Sequence, residues 1–317
     1  MAKKYAFLFP GQGAQAPGMI KDICENHPEA LKVVEEVSKI TGKDMKKLLW
    51  DTPQEELSRS DNSQLAITTA SLAIMAALKT KGIEPSAAMG FSLGEFPALY
   101  AAGILSFEDV INVVSKRGAI MQGVCEKIAA ENEGNAPGMS AILGLPPEKV
   151  EELASGIEGA YAANLNSVKQ TVIAGTAEGL AKAEEKAKEL GAKRTIRLAV
   201  AGPFHSPLMQ RAADDFKVAL EPYSFGNPKI ALFSNVTGKK VTEGASAKLS
   251  AVDHLTHPVR WTDEEKVLAD LIKEDGGEWV ILEVGPGKVL SGLWGQTEFG
   301  EANVAIPVNT EEALASL

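Results

Sequence analysis

Cysteine is scarce in this chain: Cys24 and Cys125 are the only two in 317 residues. That is too few for a disulfide framework, and a reducing, cytoplasmic setting follows as the expectation. Positive charge is in deficit, with 32 Lys and Arg against 42 Asp and Glu and a formal charge of −10. Such a balance argues against a nucleic-acid or membrane-surface role. Long apolar runs are missing, none approaching the roughly 18 residues that a spanning helix needs. The opening stretch from Tyr5 to Phe9 is also too short for the apolar part of a signal peptide. Internal repeats, low-complexity tracts and flexible linkers do not occur. What is present is 45% hydrophobic and 23% charged, the make-up of a globular chain with one large core or two ordinary ones.

The apolar run from Tyr5 to Phe9 reads as a buried strand, stopped by Pro10-Gly11-Gln12-Gly13. Asp61-Asn62-Ser63 offers capping side chains for a helix through Leu65, Ile67, Leu72, Ile74 and Leu78, closed by Lys81-Gly82. Ser86 to Phe91 reads as a small-residue strand that runs into a further helix ending near Ala102. Ser106, followed by two acids, starts a helix that runs to about Ile128. Beyond Ala129 the rhythm changes to strand Met139–Leu143, helix Pro147–Ser155, strand Gln170–Ala174, helix Ala177–Leu190 and strand Arg194–Val200. From Gly202 the first style returns, with helix Pro207–Leu220, strand Ile230–Ser234, helix Glu264–Lys273 and strand Trp279–Val284. Strands alternating with helices predict an α/β fold with a mostly parallel sheet, helices on both faces and a compact insert.

Gly90-Phe91-Ser92-Leu93-Gly94 fits the G-x-S-x-G elbow, in which small neighbours let a strand turn sharply into a helix and expose a serine. The helix N-terminus sets free N–H groups beside that serine, suited to an oxyanion. A serine needs a base, and there are only four histidines. His27 reads as a surface residue on a polar helical stretch. His205 lies in Gly202-Pro203-Phe204-His205-Ser206-Pro207, a loop stiffened by prolines directly after a strand, where it serves either as a base or as a cap on the next helix. His254 and His257 stand three apart, but no third ligand accompanies them and no metal site is expected. The only aspartate between Ser92 and His205 is Asp109, better explained as a first-turn helix residue. A serine–histidine dyad supported by a carbonyl or amide is therefore favoured over a hydrolase triad.

Arg117 falls on the apolar face of its helix, in line with Val110, Val113, Val114, Met121 and Val124. A guanidinium there needs an anion, either an internal carboxylate in an ion pair or a substrate carboxylate gripped in fork geometry.

Taken in order, Phe9-Pro10-Gly11-Gln12-Gly13-Ala14-Gln15, Gly90-Phe91-Ser92-Leu93-Gly94-Glu95, Arg117-Gly118, Ala163-Asn164-Leu165-Asn166-Ser167, Gly202-Pro203-Phe204-His205-Ser206, Pro258-Val259-Arg260-Trp261 and Glu283-Val284-Gly285-Pro286-Gly287 closely resemble the malonyl-CoA:acyl carrier protein transacylase family over nearly the whole length. The resemblance implies an α/β-hydrolase-like catalytic domain over residues 1–128 and 200–317. It also implies a ferredoxin-like insert over 129–199, with the site between the two. It implies Ser92 as nucleophile, His205 as base, the N–H groups of Gln12 and Leu93 as oxyanion hole, and Arg117 as the grip on the malonyl carboxylate. Phe204, Met121 and Asn166 would line the substrate, and His254, where glutamine or asparagine is usual, would orient the base through its main-chain carbonyl. Phe91 replaces the usual histidine, and Phe204 matches the malonyl-selective pattern.

The partners implied are malonyl-CoA and acyl carrier protein, with no nucleic acid or membrane and no metal or redox cofactor in a ping-pong transfer. Two rivals stay open, a serine esterase or thioesterase with the same dyad and a catalytically silent carrier-binding module. Lys182, Lys186, Lys193 and Arg194 are candidates for a basic carrier-docking patch, against the plainer reading of a solvated helix face.

Overall fold

The computed structural model describes residues 3–317. Nine strands alternate with helices among them: β1 (Lys4–Phe9), β2 (Ala87–Gly90), β3 (Gly138–Leu143), β4 (Ala160–Ser167), β5 (Gln170–Gly175), β6 (Arg194–Arg197), β7 (Ala231–Leu232), β8 (Trp279–Val284) and β9 (Ala305–Val308). Five of these make one parallel sheet in the order β7-β2-β1-β8-β9. The other four make a separate antiparallel sheet in the order β4-β5-β3-β6. The α/β class and the two-part architecture expected from the motif order are what the chain forms.

Side chains alternate across the parallel sheet, as period-two geometry requires. Phe7 and Phe9 pack on one face against the helices Ser60–Thr80 and Phe107–Glu131, while Ala6 and Leu8 join Trp261, Leu268 and Trp294 on the other. Because the strands are parallel, their C-terminal ends share one edge, with Phe9 paired to Gly90 and Leu8 to Glu283. The loops after β1 and β2 thus meet at that edge, the usual place for a ligand crevice in open α/β sheets.

Helix Ser60–Thr80 is buried on nearly every side, so its sequence shows little of a one-faced stripe. Its start differs from expectation. Arg59 is the N-cap, without a side-chain bond, and Asp61, Asn62 and Ser63 already lie inside the helix. The Ser60 N–H is instead satisfied by Gln122 Oε1 at 2.9 Å, from the helix that carries Arg117. Gly118 permits that approach, since a Cβ there would sit 2.7 Å from the Ser60 carbonyl oxygen. Ser106 caps Phe107–Glu131 as expected, accepting from the Asp109 N–H at 3.1 Å.

The antiparallel sheet carries helices Pro147–Ser155 and Ala177–Glu189 over its own small core of Ile142, Val150, Ile173 and Leu180. Two strands lie outside the sequence expectation. β4 has no clear alternation in Ala-Tyr-Ala-Ala-Asn-Leu-Asn-Ser, and β9 is short and contains a proline. β7 is only two residues long, shorter than Ile230–Ser234, and its early end frees Asn235 to turn toward β2. β4 also reaches outside its sheet: the Leu165 N–H donates to the Val259 carbonyl at 2.9 Å and the Val259 N–H to Ala163 at 2.8 Å. His27 is not a free surface residue, for it precedes helix Pro28–Thr41 and its Nε2 lies 2.8 Å from Glu311 Oε2.

Candidate active site

After β2 the chain reverses so tightly that side chains are excluded. A Cβ on Gly90 would lie 1.9 Å from the Gly94 carbonyl oxygen, and one on Gly94 would lie 2.0 Å from that of Phe9. Between them Ser92 is held at φ 51°, a left-handed conformation that costs a non-glycine residue about 1 kcal/mol. Its Oγ is 2.8 Å from His205 Nε2.

His205 is itself at φ 58° and almost fully buried. Its Nδ1 lies 2.7 Å from the His254 carbonyl oxygen. A carbonyl only accepts, so Nδ1 carries the proton and Nε2 presents its lone pair to the serine hydroxyl. Burial holds the imidazole well below the ordinary histidine range, with the neighbouring His254 and the Arg117 charge adding to the effect. The ring is therefore neutral at neutral pH and can take a proton.

The His254 ring stacks on it at 4.9 Å between centroids, and His254 Nδ1 lies 3.0 Å from Glu95 Oε2. Burial pushes the Glu95 carboxyl up to about 8, against the pull of the Asn235 backbone N–H and the Arg117 charge. Burial likewise depresses His254, with Arg117 next in effect, so the pair faces itself as a neutral acid and a neutral imidazole.

Arg117 is 1% exposed. Its Nη1 donates to Gln64 Oε1 at 2.8 Å, and its guanidinium carbon sits 5.3 Å from the Phe96 ring centre. Nε and Nη2 have no partner. Burial lowers its pKa to about 10, with Glu95 pulling the other way, and at neutral pH it stays charged. Of the two anions the sequence allows, no internal carboxylate takes the fork; the side chain bonded to it is the neutral Gln64.

Gln12, Ser92, His205, Arg117, Met121, Asn166 and Phe204 all line one cavity of about 450 Å³. The Ser92 N–H is committed to Asn235 Oδ1 at 2.7 Å, whereas the N–H groups of Gln12 and Leu93 donate to no protein oxygen among the described residues. The arrangement joins a hydroxyl bonded to a neutral imidazole and an unmatched buried cation in a single chamber. It suits attack on the carbonyl of an acyl group that carries its own negative charge.

Residues 6–297 match the family model described as an acyl transferase domain. The chain is 42% identical over 294 residues to the malonyl CoA-acyl carrier protein transacylase of Bacillus subtilis, covering 92% of this chain and 89% of that one. The chain belongs to the malonyl-CoA:acyl carrier protein transacylase family. Its fold matches the malonyl CoA-acyl carrier protein transacylase of Coxiella burnetii with a TM-score of 0.90 at 33% identity, over 100% of this chain and 97% of that one. It matches equally a malonyl-transacylase solved in complex with a type II polyketide synthase acyl carrier protein, with a TM-score of 0.89 at 34% identity over 99% and 98% of the two chains.

In this acyl transferase several residues at the site carry no usable sequence signal. Gln64 reads as one more polar residue in a helix, yet it holds Arg117 from 53 positions away. Glu95 passes for an ordinary first-turn acid but is 4% exposed. Asn235 and Glu264, both completely buried, lie beyond any local pattern. Lys182 and Lys186 of the suggested docking patch are bridged to Glu178 and Glu189 on an exposed helix, the arrangement of a solvated face.

Proposed function

We propose that this protein transfers the malonyl group from malonyl-CoA to the phosphopantetheine thiol of acyl carrier protein, through a malonyl ester on Ser92. The observation that carries this reading is Arg117, buried with two unpaired N–H groups in the chamber that holds the Ser92–His205 pair. A malonyl carboxylate supplies the planar acceptor those groups lack. The relatives named above act on the same acyl group.

In the first half-reaction Ser92 Oγ attacks the thioester carbonyl as its proton passes to His205 Nε2. The developing oxyanion is received by the N–H groups of Gln12 and Leu93. The His254 carbonyl keeps the imidazolium oriented through Nδ1–H. Collapse expels the coenzyme A thiolate, which leaves with the proton from Nε2. In the second half the phosphopantetheine thiol gives its proton to Nε2 and attacks the ester, and Ser92 recovers its proton from His205 as it leaves. Met121, Phe204 and Asn166 form the wall beside the acyl chain. The buried free thiols Cys24 and Cys125 support a cytoplasmic setting.

The test is intact-mass measurement after mixing with malonyl-CoA, with Ser92→Ala alongside. The expected result is one malonyl adduct in the wild type, discharged by acyl carrier protein, and none in the variant. An adduct persisting in Ser92→Ala would overturn the nucleophile assignment, and rapid release of free malonate without carrier would make the enzyme a hydrolase.

A further inference from the structure

The turn that carries Ser92 has four backbone polar groups on the two peptides flanking Phe91. Two are satisfied from nearby backbone: the Phe91 N–H donates to the Phe9 carbonyl and the Phe91 carbonyl accepts from the Gly94 N–H, both at 2.9 Å. The other two are satisfied by one side chain that follows β7, the strand next to β2 in the sheet. Asn235 Nδ2 donates to the Gly90 carbonyl at 2.6 Å, and Asn235 Oδ1 accepts from the Ser92 N–H at 2.7 Å. A carbonyl can only accept and an N–H can only donate, so these partners fix which way the amide points. Its second Nδ2 hydrogen goes to Glu264 Oε1 at 2.9 Å.

Asn235 and Glu264 are both fully buried, so no solvent competes for their bonds. Main-chain bonds anchor it, with the Arg260 N–H donating to the Asn235 carbonyl at 2.9 Å and the Glu264 N–H to that of Arg260 at 3.1 Å. Such anchoring matters because Ser92 sits at a positive φ that the surroundings must enforce. We propose that Asn235 is a positioning residue for the nucleophile. Its amide clamps both peptides of the turn and so fixes the aim of Ser92 Oγ, and Glu264 holds the amide in place. The clamp also withdraws the Ser92 N–H from the chamber, leaving Gln12 and Leu93 as the donors there. Burial, with Glu95 and other acids nearby, keeps the Glu264 carboxyl well above the ordinary range, so it accepts from the amide as a neutral acid.

The inference rests on Ser92 being the acylated residue, and the experiment separates the two. Formation of the malonyl adduct is followed by quenched-flow intact mass at saturating and at limiting malonyl-CoA, in wild type, Asn235→Ala, Glu264→Gln and Glu264→Ala. No adduct in the wild type would dispose of the Ser92 reading itself. With the wild type acylating, Asn235→Ala is expected to lose on the order of a hundredfold in the acylation rate at saturation, as small misplacements of a reacting atom do. The concentration giving half-maximal rate should move less than about threefold, because Arg117 and the chamber wall are untouched. The side-chain amide introduced by Glu264→Gln can still accept through its oxygen, so that variant should acylate at close to the wild-type rate while Glu264→Ala falls with Asn235→Ala. A folded Asn235→Ala that acylates as fast as wild type would overturn the proposal. If Asn235→Ala does not fold, the two Glu264 variants decide: Glu264→Gln and Glu264→Ala acylating alike, whether fast or slow, overturns it.

Discussion

Replacing Arg117 by Ala tests which acyl group the chamber is built for, and not merely that it performs acyl transfer. The guanidinium is 1% exposed, with Nε and Nη2 unpartnered and Nη1 held by Gln64. A malonyl carboxylate would accept two charge-assisted hydrogen bonds there, each contributing about 1.5–3 kcal/mol. Removing one partner of a buried ion pair costs about 3–5 kcal/mol, in agreement with that sum. At about 1.4 kcal/mol per factor of ten, kcat/KM for malonyl-CoA should fall roughly a hundredfold to a few thousandfold. Acetyl-CoA presents no carboxylate and should lose less than about tenfold. Arg117→Lys keeps the charge without the fork and should fall between. The assay is kcat/KM for both thioesters with acyl carrier protein as acceptor, with circular dichroism to establish that the variants fold. Equal losses for the two thioesters in folded Arg117→Ala would refute the reasoning and leave Arg117 with a packing role against Phe96.

Two further outcomes concern titration. His205 must be neutral to act as base, and burial holds its pKa well below 6.5. The acid limb of kcat/KM should therefore lie well below pH 6.5, with a level profile through neutrality, and His205→Ala should lose on the order of a hundredfold or more; an acid limb centred at 6.5 would contradict the buried, desolvated base. Glu265 is pushed from 4.5 up to about 8, chiefly by burial, while accepting from Trp261 Nε1 at 2.8 Å. Between those values the unfolded chain has released the proton and the native chain retains it, so this group lowers stability as pH rises from 4.5 to about 8. Glu265→Gln keeps the acceptor and removes the titration. Its Tm advantage over wild type should be absent near pH 4.5 and grow toward pH 8, and a constant difference would show that Glu265 is not protonated in the native state.

What could be read from the sequence was local. The glycines of the elbow announce themselves because only residues without Cβ fit 1.9–2.0 Å from a carbonyl oxygen. Arg117 stands out because helical periodicity puts a charge among valines. The rest of the site is made of contacts across long stretches of chain, which no periodicity encodes. Asn235 reaches Ser92 across 143 positions, and Glu264 is an ordinary first-turn acid until the fold covers it. β4, paired on one edge with β5 and on the other with Val259, is hard to read because both its faces are covered from Ala163 to Ser167, which removes the alternation a half-exposed strand would show.

That doubly paired strand has a consequence for recombining such proteins. β4 is stitched through Ala163 and Leu165 to Val259, five residues after the His254 whose carbonyl oxygen lies 2.7 Å from His205 Nδ1. A chimera that exchanged only the β3–β6 sheet with a homologue's would split a hydrogen-bonded seam between two parents. The natural unit of exchange is thus discontinuous: the antiparallel sheet together with the stretch from His254 to Trp261. Crossovers that respect that seam keep the wall of the chamber and the His254–His205 contact as one inheritance.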